Sequence, residues 1–200
     1  KTLRRNKTDK SDAHELAKSH FKEKRQIKHP QEAYYENMRV MTRRYDDIDQ
    51  EKKLYQNKLH ALLQLSFPEI EIVFKSKSSL FLNIIQLFPH ANSIVNSSKT
   101  IIRNRLKQCT KKNYSLQKLE EKTLELIAVA KDSYPAIDEE DYECQLIKQY
   151  AKILLKLEEE QVQLIEKMAE LSEGRPEYNV LLSFPGIQKT TACRLIGELG

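Results

Sequence analysis

Two aspartates three residues apart, Asp9 and Asp12, are well suited by type and spacing to bind a metal ion. On a helix, that spacing places both carboxylates on one face. Two converging carboxylates suit a hard divalent cation such as Mg²⁺, which takes oxygen ligands and keeps waters that a phosphate can displace. Such an ion can activate a nucleophile and stabilise the leaving oxygen in phosphodiester cleavage. The alternative interpretation is that Asp9 and Asp12 cap a helix and offset its dipole.

A second candidate site is the turn Pro185-Gly186-Ile187, which follows an apolar helix end and precedes a new helix. This order is typical of a helix-hairpin-helix, in which the glycine permits a tight turn and the next helix points its first N–H groups at a phosphate. Recognition of this kind reads the nucleic-acid backbone. The candidate contact residues are Gly186, Ile187, Lys189 and Thr190. The alternative is an ordinary corner between two core helices. Ser183 has no nucleophile elbow or base partner around it, which favours a structural role.

The charge distribution adds two basic zones. The chain has a formal net charge of +5, and ten basic residues stand against four acidic ones over residues 1–28. Residues 99–122 hold eight basic residues against two acidic ones. Such zones fit a polyanion, although a solvated helix face is the alternative for each. The candidate nucleic-acid contacts in these zones are Arg4, Arg5, Lys7, Lys10, Arg103 and Arg105.

Composition predicts a mainly α fold, because the chain has only four glycines, no tryptophan and many Lys, Glu, Leu and Gln residues. Its three cysteines are far apart, so neither a disulfide framework nor a zinc site is indicated. They are typical of reduced thiols in a cytosolic protein. No apolar run approaches the length of a membrane span, so we expect no membrane partner.

Two long heptad series are the clearest periodic patterns in the chain. A strict seven-residue repeat predicts that another helix covers each apolar strip, as in a coiled coil. Each series contains one polar residue, Lys52 or Gln161, of the kind that fixes register. We expect the two helices to pair antiparallel within one chain, with dimerisation through the same seams as the alternative. The first series is Tyr34, Met38, Met41, Tyr45, Ile48, Lys52, Tyr55, Leu59 and Leu62, and the second is Ile147, Tyr150, Leu154, Leu157, Gln161, Leu164, Met168 and Leu171.

Taken in order, several segments of the chain resemble the DEDD insertion-sequence transposases, the group that includes the Piv-type invertases. Asn6-Lys7-Thr8-Asp9-x-x-Asp12-Ala13 is similar to the segment that carries the last two acidic residues of the family. Leu65-x-Phe67-Pro68-Glu69 resembles the end of its first long helix. Leu182-Ser183-Phe184-Pro185-Gly186-Ile187, followed by Thr191-Ala192, resembles the opening of its C-terminal domain. Gln188 departs from the pattern, because many members have a second glycine there.

The resemblance implies an internal fragment of a larger enzyme. Residues 1–29 would end a RuvC-like catalytic domain, and residues 175–200 would begin the C-terminal transposase domain. Residues 30–174 would form a coiled-coil connector, with helices at 31–66 and 138–173 around a helical insert at 67–137.

By the same resemblance, Asp9 and Asp12 are the last two catalytic ligands of Mg²⁺. The first Asp and the Glu would lie upstream, and a serine nucleophile would lie downstream. The partners would be DNA and a structured guide RNA. The full-length protein would be a homo-oligomer in the bacterial cytoplasm, associated with the nucleoid, and the fragment alone would be inactive.

Two other functions remain open from the residues themselves. One is a non-enzymatic coiled-coil protein that binds DNA or serves as a scaffold through the Pro185-Gly186 turn and the basic helices. The other is a purely structural coiled-coil adaptor, for which we expect no salt-sensitive binding of nucleic acid.

Overall fold

The computed structural model describes residues 9–22, 32–75, 78–110 and 115–199. These residues form helices joined by turns and short irregular segments, with no strand among them, so the predicted mainly α fold is confirmed. The helices are α1 (Asp9–Lys22), α2 (Ala33–Ser66), α3 (Ile70–Val73), α4 (Ser79–Leu87), α5 (Ala91–Val95), α6 (Lys99–Cys109), α7 (Leu116–Lys131), α8 (Tyr142–Ser172), α9 (Pro176–Ser183) and α10 (Lys189–Leu199).

Two long helices, α2 and α8, form the frame of the molecule and run antiparallel. The start of α2 meets the end of α8, where the Tyr34 hydroxyl lies 2.8 Å from Ser172 Oγ. Further along, the rings of Tyr55 and Tyr150 have centroids 5.5 Å apart. At 34 residues, α2 is about 50 Å long, because each helical residue advances the chain by about 1.5 Å. The frame is therefore long enough for two separate groups of helices to pack along it.

The two polar residues of the heptad series meet in the middle of this frame. Lys52 Nζ donates a hydrogen bond of 2.9 Å to Gln161 Oε1, and Gln161 is buried. The amide nitrogen of Gln161 has no hydrogen-bond partner among the described residues. A polar contact inside an apolar seam penalises other registers, in which these groups would lose their partner.

The insert, residues 67–141, folds back over the end of α2 and the start of α8. Phe67 ends α2, and Pro68 follows because proline cannot continue the ladder of hydrogen bonds. Serine side chains cap the starts of three insert helices, α4, α6 and α7. Short helices α3 and α5 join the longer ones.

The buried His90 imidazole holds two parts of the insert together. Its Nδ1 accepts a hydrogen bond of 3.1 Å from the Asn92 N–H at the start of α5. Its Nε2 therefore carries the proton and donates to the Ile137 carbonyl oxygen at 2.9 Å. This histidine is structural, since both ring nitrogens are used and the side chain is buried.

Two hydrophobic cores lie along the frame. The insert core joins the second half of α2, helices α3 to α7 and the first half of α8, and includes the fully buried Phe67 and Ile84. The hairpin core joins the first half of α2, the second half of α8 and the hairpin, which we define as α9, the turn 184–188 and α10. Met38 and Ile196 belong to it.

Three details differ from the sequence expectations. Helix α2 begins at Ala33. Helix α8 begins at Tyr142, because residues 138–141 form a turn in which the Asp141 carboxylate accepts a hydrogen bond of 2.8 Å from the Asp138 N–H. Leu171 is not in the seam and is 44% exposed, whereas Ser172 is buried in its place. A straight helix with 3.6 residues per turn drifts from a seven-residue repeat, and four heptads accumulate that drift.

Helix α1 also differs from its expected pattern. Ala13, Leu16, Ala17 and Phe21 stand at helical spacing, which predicts an apolar stripe, yet Leu16 is 65% exposed and Ala13 and Ala17 are also exposed. The coiled-coil and domain assignments stay predictions.

Candidate nucleic-acid interface

The first turns of α1 hold the predicted metal ligands, Asp9 and Asp12. Both carboxylates belong to exposed residues one helical turn apart. Oxygen ligands of this kind suit Mg²⁺ as two members of a larger set. Among the described residues, no group of three or more His, Cys, Asp or Glu side chains could hold a metal ion. The structure therefore places both candidates on the first turns of α1 and adds no third ligand from the part it describes.

The cations predicted beside this pair cannot be placed. Arg4, Arg5 and Lys7 lie outside the described residues. Lys10 belongs to α1, but its side chain is also outside the described part.

A long segment within the insert contains basic residues and no acidic ones. Residues 72–119 contain no aspartate or glutamate over 48 positions, whereas the rest of the chain has 25 basic residues against 29 acidic ones. The charged residues of this segment are therefore all cations, which favours the approach of a polyanion. The nine cations of this segment are Lys75, Lys77, Lys99, Arg103, Arg105, Lys107, Lys111, Lys112 and Lys118.

Helix α6 positions the predicted cations of this zone. Ile102 and Leu106 are buried one helical turn apart and fix the helix on the insert core. Arg103 is half-buried, whereas Arg105 and Lys107 are exposed. The Arg105 guanidinium lies 5.4 Å from the centre of the Phe88 ring, which holds its apolar stem against the insert.

One cation at the start of α6 is already paired. Lys99 Nζ lies 2.8 Å from Glu120 Oε1 on α7. The hydrogen bond from Lys99 lowers the pKa of Glu120 below its ordinary value, and the charge of Arg103 acts in the same direction. The exposed Arg105 and Lys107 have no carboxylate partner within the described ranges, so they are the cations of α6 best placed for phosphate.

The hairpin presents its turn to solvent. Gly186 has a φ of +89°, a conformation that other residues rarely adopt, and a Cβ added there would meet nothing within 4 Å. Phe184 beside it is 53% exposed. The first hydrogen bond of α10 runs from the Ala192 N–H to the Gln188 carbonyl oxygen at 2.9 Å. The preceding N–H groups of α10 lie before that bond and next to the exposed turn.

The hairpin residues predicted to contact nucleic acid differ in their exposure to solvent. Lys189 is exposed, Thr190 is half-buried, and Ile187 packs against the hairpin core. Ile187 therefore holds the turn in place and is not a free contact surface. Ser183 Oγ donates to the Val180 carbonyl oxygen at 2.7 Å, in agreement with a structural role.

Close packing fixes α10 against α2. A Cβ on Gly197 would lie 2.8 Å from the Met38 carbonyl oxygen and would collide with the Thr42 side chain, so only glycine permits this approach. Arg194 pairs with Asp46 at 2.7 Å and lies over the Tyr45 ring at 4.9 Å. The guanidinium of Arg194 is therefore already paired within the protein.

The comparisons with protein-family models, curated proteins and solved structures give no match. None of the helices in the described ranges is both long and apolar enough to cross a membrane.

The cysteines add no reactive nucleophile at neutral pH. Burial raises the pKa of the Cys109, Cys144 and Cys193 thiols above the ordinary value, which keeps them protonated. Cys144 and Cys193 are buried, and Cys109 at the end of α6 is half-buried.

The basic zone 99–122 includes the α7 lysines Lys118 and Lys122, but the sequence analysis named neither as a contact and predicted no cavity beside them. Lys118 and Lys122 lie four residues apart on one face of α7, where they border a cavity. The absence of any carboxylate over residues 72–119 is the sequence feature that could have indicated this region.

Proposed function

We propose that the chain is an internal part of a DEDD-type transposase and that its basic insert binds the phosphate backbone of nucleic acid. The observation that carries the binding proposal is the acid-free segment 72–119, from which Arg105 and Lys107 project into solvent. Phosphate contacts from such cations supply affinity without reading sequence. The exposed turn at Gly186 with Lys189 provides a second, smaller contact.

The catalytic part of the proposal rests on the resemblance of the ordered motifs. In it, Asp9 and Asp12 contribute two oxygen ligands to a Mg²⁺ site that the parent protein completes. A bound ion would supply Lewis-acid activation of the scissile phosphate there. The serine nucleophile belongs to a different part of the parent protein, and DNA and a structured guide RNA are its proposed partners.

Charge reversal on α6 tests the binding proposal. Arg105→Glu with Lys107→Glu reverses two exposed charges and keeps Ile102 and Leu106, the buried residues that fix α6 on the insert core. The matched control is Lys152→Glu with Lys167→Glu, which makes the same charge change on exposed positions of α8. Fluorescence anisotropy with a labelled DNA duplex measures the affinity over a range of salt concentrations.

We expect the α6 variant to lose affinity by about tenfold or more at low salt and to show a shallower salt dependence. The α8 variant keeps most of the affinity, because its positions lie outside the acid-free segment. Equal losses in the two variants would show that only net charge matters and would contradict a site on the insert.

Carboxylate substitution in the parent protein tests the catalytic proposal. Asp9→Asn and Asp12→Asn preserve shape and remove the charge that a metal ligand needs. We expect either change to abolish recombination while DNA binding persists. Recombination that survives both changes would instead support a non-enzymatic binding protein.

A further inference from the structure

A cavity of about 660 Å³ opens within the insert, between α3, α4, α6 and α7. This volume falls in the range of sites that bind small organic groups. Its apolar wall contains the side chains of Val73, Phe74, Leu80, Leu106, Leu119 and Cys109. The polar groups that border it are Lys75, Ser78, Ser79, Asn83, Thr110, Lys118 and Lys122.

The lysines give the cavity a positive border. Lys122 is already engaged, because its Nζ donates to the Val73 carbonyl oxygen at 3.1 Å and pairs with Glu125 at 2.7 Å. Lys118, one turn earlier on α7, and Lys75 are exposed, and neither pairs with a carboxylate within the described ranges. Among the residues that the structure describes around the cavity, none carries a carboxylate. Its border therefore suits phosphate, which lysine binds as a point charge.

Two of the polar side chains that border the cavity already have hydrogen-bond partners within the protein. Ser78 Oγ accepts from the Phe81 N–H at 3.2 Å, and Ser79 Oγ donates to Glu158 at 3.1 Å. Within the part of the chain that the structure describes, the half-buried Asn83 amide has no hydrogen-bond partner. An amide both donates and accepts, so Asn83 can bind the edge of a heterocycle.

We propose that this cavity takes the base of an unpaired nucleotide, with Asn83 at the base edge and the adjoining phosphates on Lys75 and Lys118. The inference rests on the proposed function, since it assigns a specificity to the same nucleic-acid surface. A single anionic head group would need one or two cations, whereas this acid-free segment exposes four without a carboxylate partner among the described residues: Lys75, Arg105, Lys107 and Lys118. A strand of phosphates uses such an extended surface, and an apolar wall suits the face of any base.

Bulged DNA provides the test, measured by anisotropy on the full chain. Three labelled duplexes of the same sequence are compared: one is perfectly paired, one has a single bulged nucleotide, and one has an abasic residue at the bulge. We expect the base-containing bulge to bind about tenfold more tightly than the abasic bulge, because a buried base contributes on the order of 1–3 kcal/mol.

Asn83→Leu keeps the shape of the side chain and removes its hydrogen bonds. We expect this change to lower the preference for the base by about fivefold, while affinity for the perfect duplex stays unchanged. Gln108→Leu is the matched control, because it removes an exposed amide on α6 that does not line the cavity. Equal effects of the two substitutions would overturn the role of Asn83 and the cavity.

Cys109 provides a second readout in the unmodified protein. Its thiol borders the cavity, whereas Cys144 and Cys193 are buried in other parts of the fold. At alkaline pH we expect iodoacetamide to alkylate Cys109 first, and the base-containing bulge to slow this reaction more than the abasic bulge. Equal protection by the two bulges would overturn the inference.

The outcomes separate the two proposals. Equal binding of the two bulges, together with salt-sensitive binding of the perfect duplex, would overturn the base site and leave the proposed function standing. Failure to bind any of the three duplexes would overturn both.

Discussion

The two structures held by the α2–α8 frame, the insert and the hairpin, use their positive charge differently. In the insert, Arg105 and Lys107 extend from an acid-free segment into solvent. In the hairpin, Arg194 is paired with Asp46 and stacked on Tyr45, which leaves Lys189 as the exposed cation. A count of basic residues therefore does not locate a polyanion site, because the pairing of each cation decides whether it is available.

The two cores also differ, and truncation of a large side chain in each should show it. Phe81→Ala removes a buried ring from the insert core and should lower the free energy of unfolding by about 4 kcal/mol. Met38→Ala in the hairpin core should cost about 3 kcal/mol, because a smaller side chain is lost. Urea unfolding followed by circular dichroism measures both. A smaller loss for Phe81→Ala than for Met38→Ala would contradict this dependence on the size of the buried side chain.

The packing of the hairpin helix α10 against α2 depends on one glycine, Gly197. Gly197→Ala places a Cβ against the Met38 backbone and the Thr42 side chain, and should cost about 2 kcal/mol through overpacking. Adding Thr42→Gly removes one of the two colliding groups and should recover part of the loss relative to Thr42→Gly alone. Thermal unfolding of the four members of this double-mutant cycle gives the coupling. Independent effects of the two changes would show that α10 approaches α2 less closely than described.

The polar contact between the two cores should matter more for register than for stability. Gln161→Leu alone leaves the Lys52 ammonium without its partner and should cost about 1 kcal/mol. Lys52→Leu combined with Gln161→Leu should restore or exceed the original free energy of unfolding, because an apolar pair avoids desolvation. Urea unfolding measures both. A double variant as unstable as the sum of the single variants would contradict this interpretation.

The smallest expected effect is at the paired cation of α6. In Lys99→Ala, the pKa of Glu120 should rise towards its ordinary value, because the hydrogen bond that lowers it is lost. A carboxyl group with a lowered folded-state pKa adds stability above its unfolded pKa and loses it as the pH falls through the folded pKa. The wild type should therefore lose this contribution in acid, and the variant should lack it. NMR titration of the Glu120 carboxyl group measures the change; an identical pKa in both proteins would contradict the pairing.

The sequence predicted the features that depend on local pattern. The helical class, the two long helices and the break at Pro68 follow from composition, periodicity and the chemistry of proline. Lys52 and Gln161 could each be singled out, because each interrupts an apolar repeat.

Features that depend on the approach of distant segments could not be predicted. The contact of Gly197 with Met38 joins residues far apart in sequence, and nothing in the local pattern around Gly197 requires it. The cavity likewise brings Phe74, Cys109 and Lys118 together from different helices. The salt bridge between Arg194 and Asp46 could not be predicted either, since it forms only when α10 packs on α2.

Hydrogen exchange with and without duplex DNA most directly tests the claim that the insert is the main nucleic-acid surface. We expect slower amide exchange in α6 and the adjoining start of α7, with a smaller change at the hairpin turn and none on the exposed face of α8. Protection confined to the hairpin turn, or no change anywhere in the chain, would contradict it.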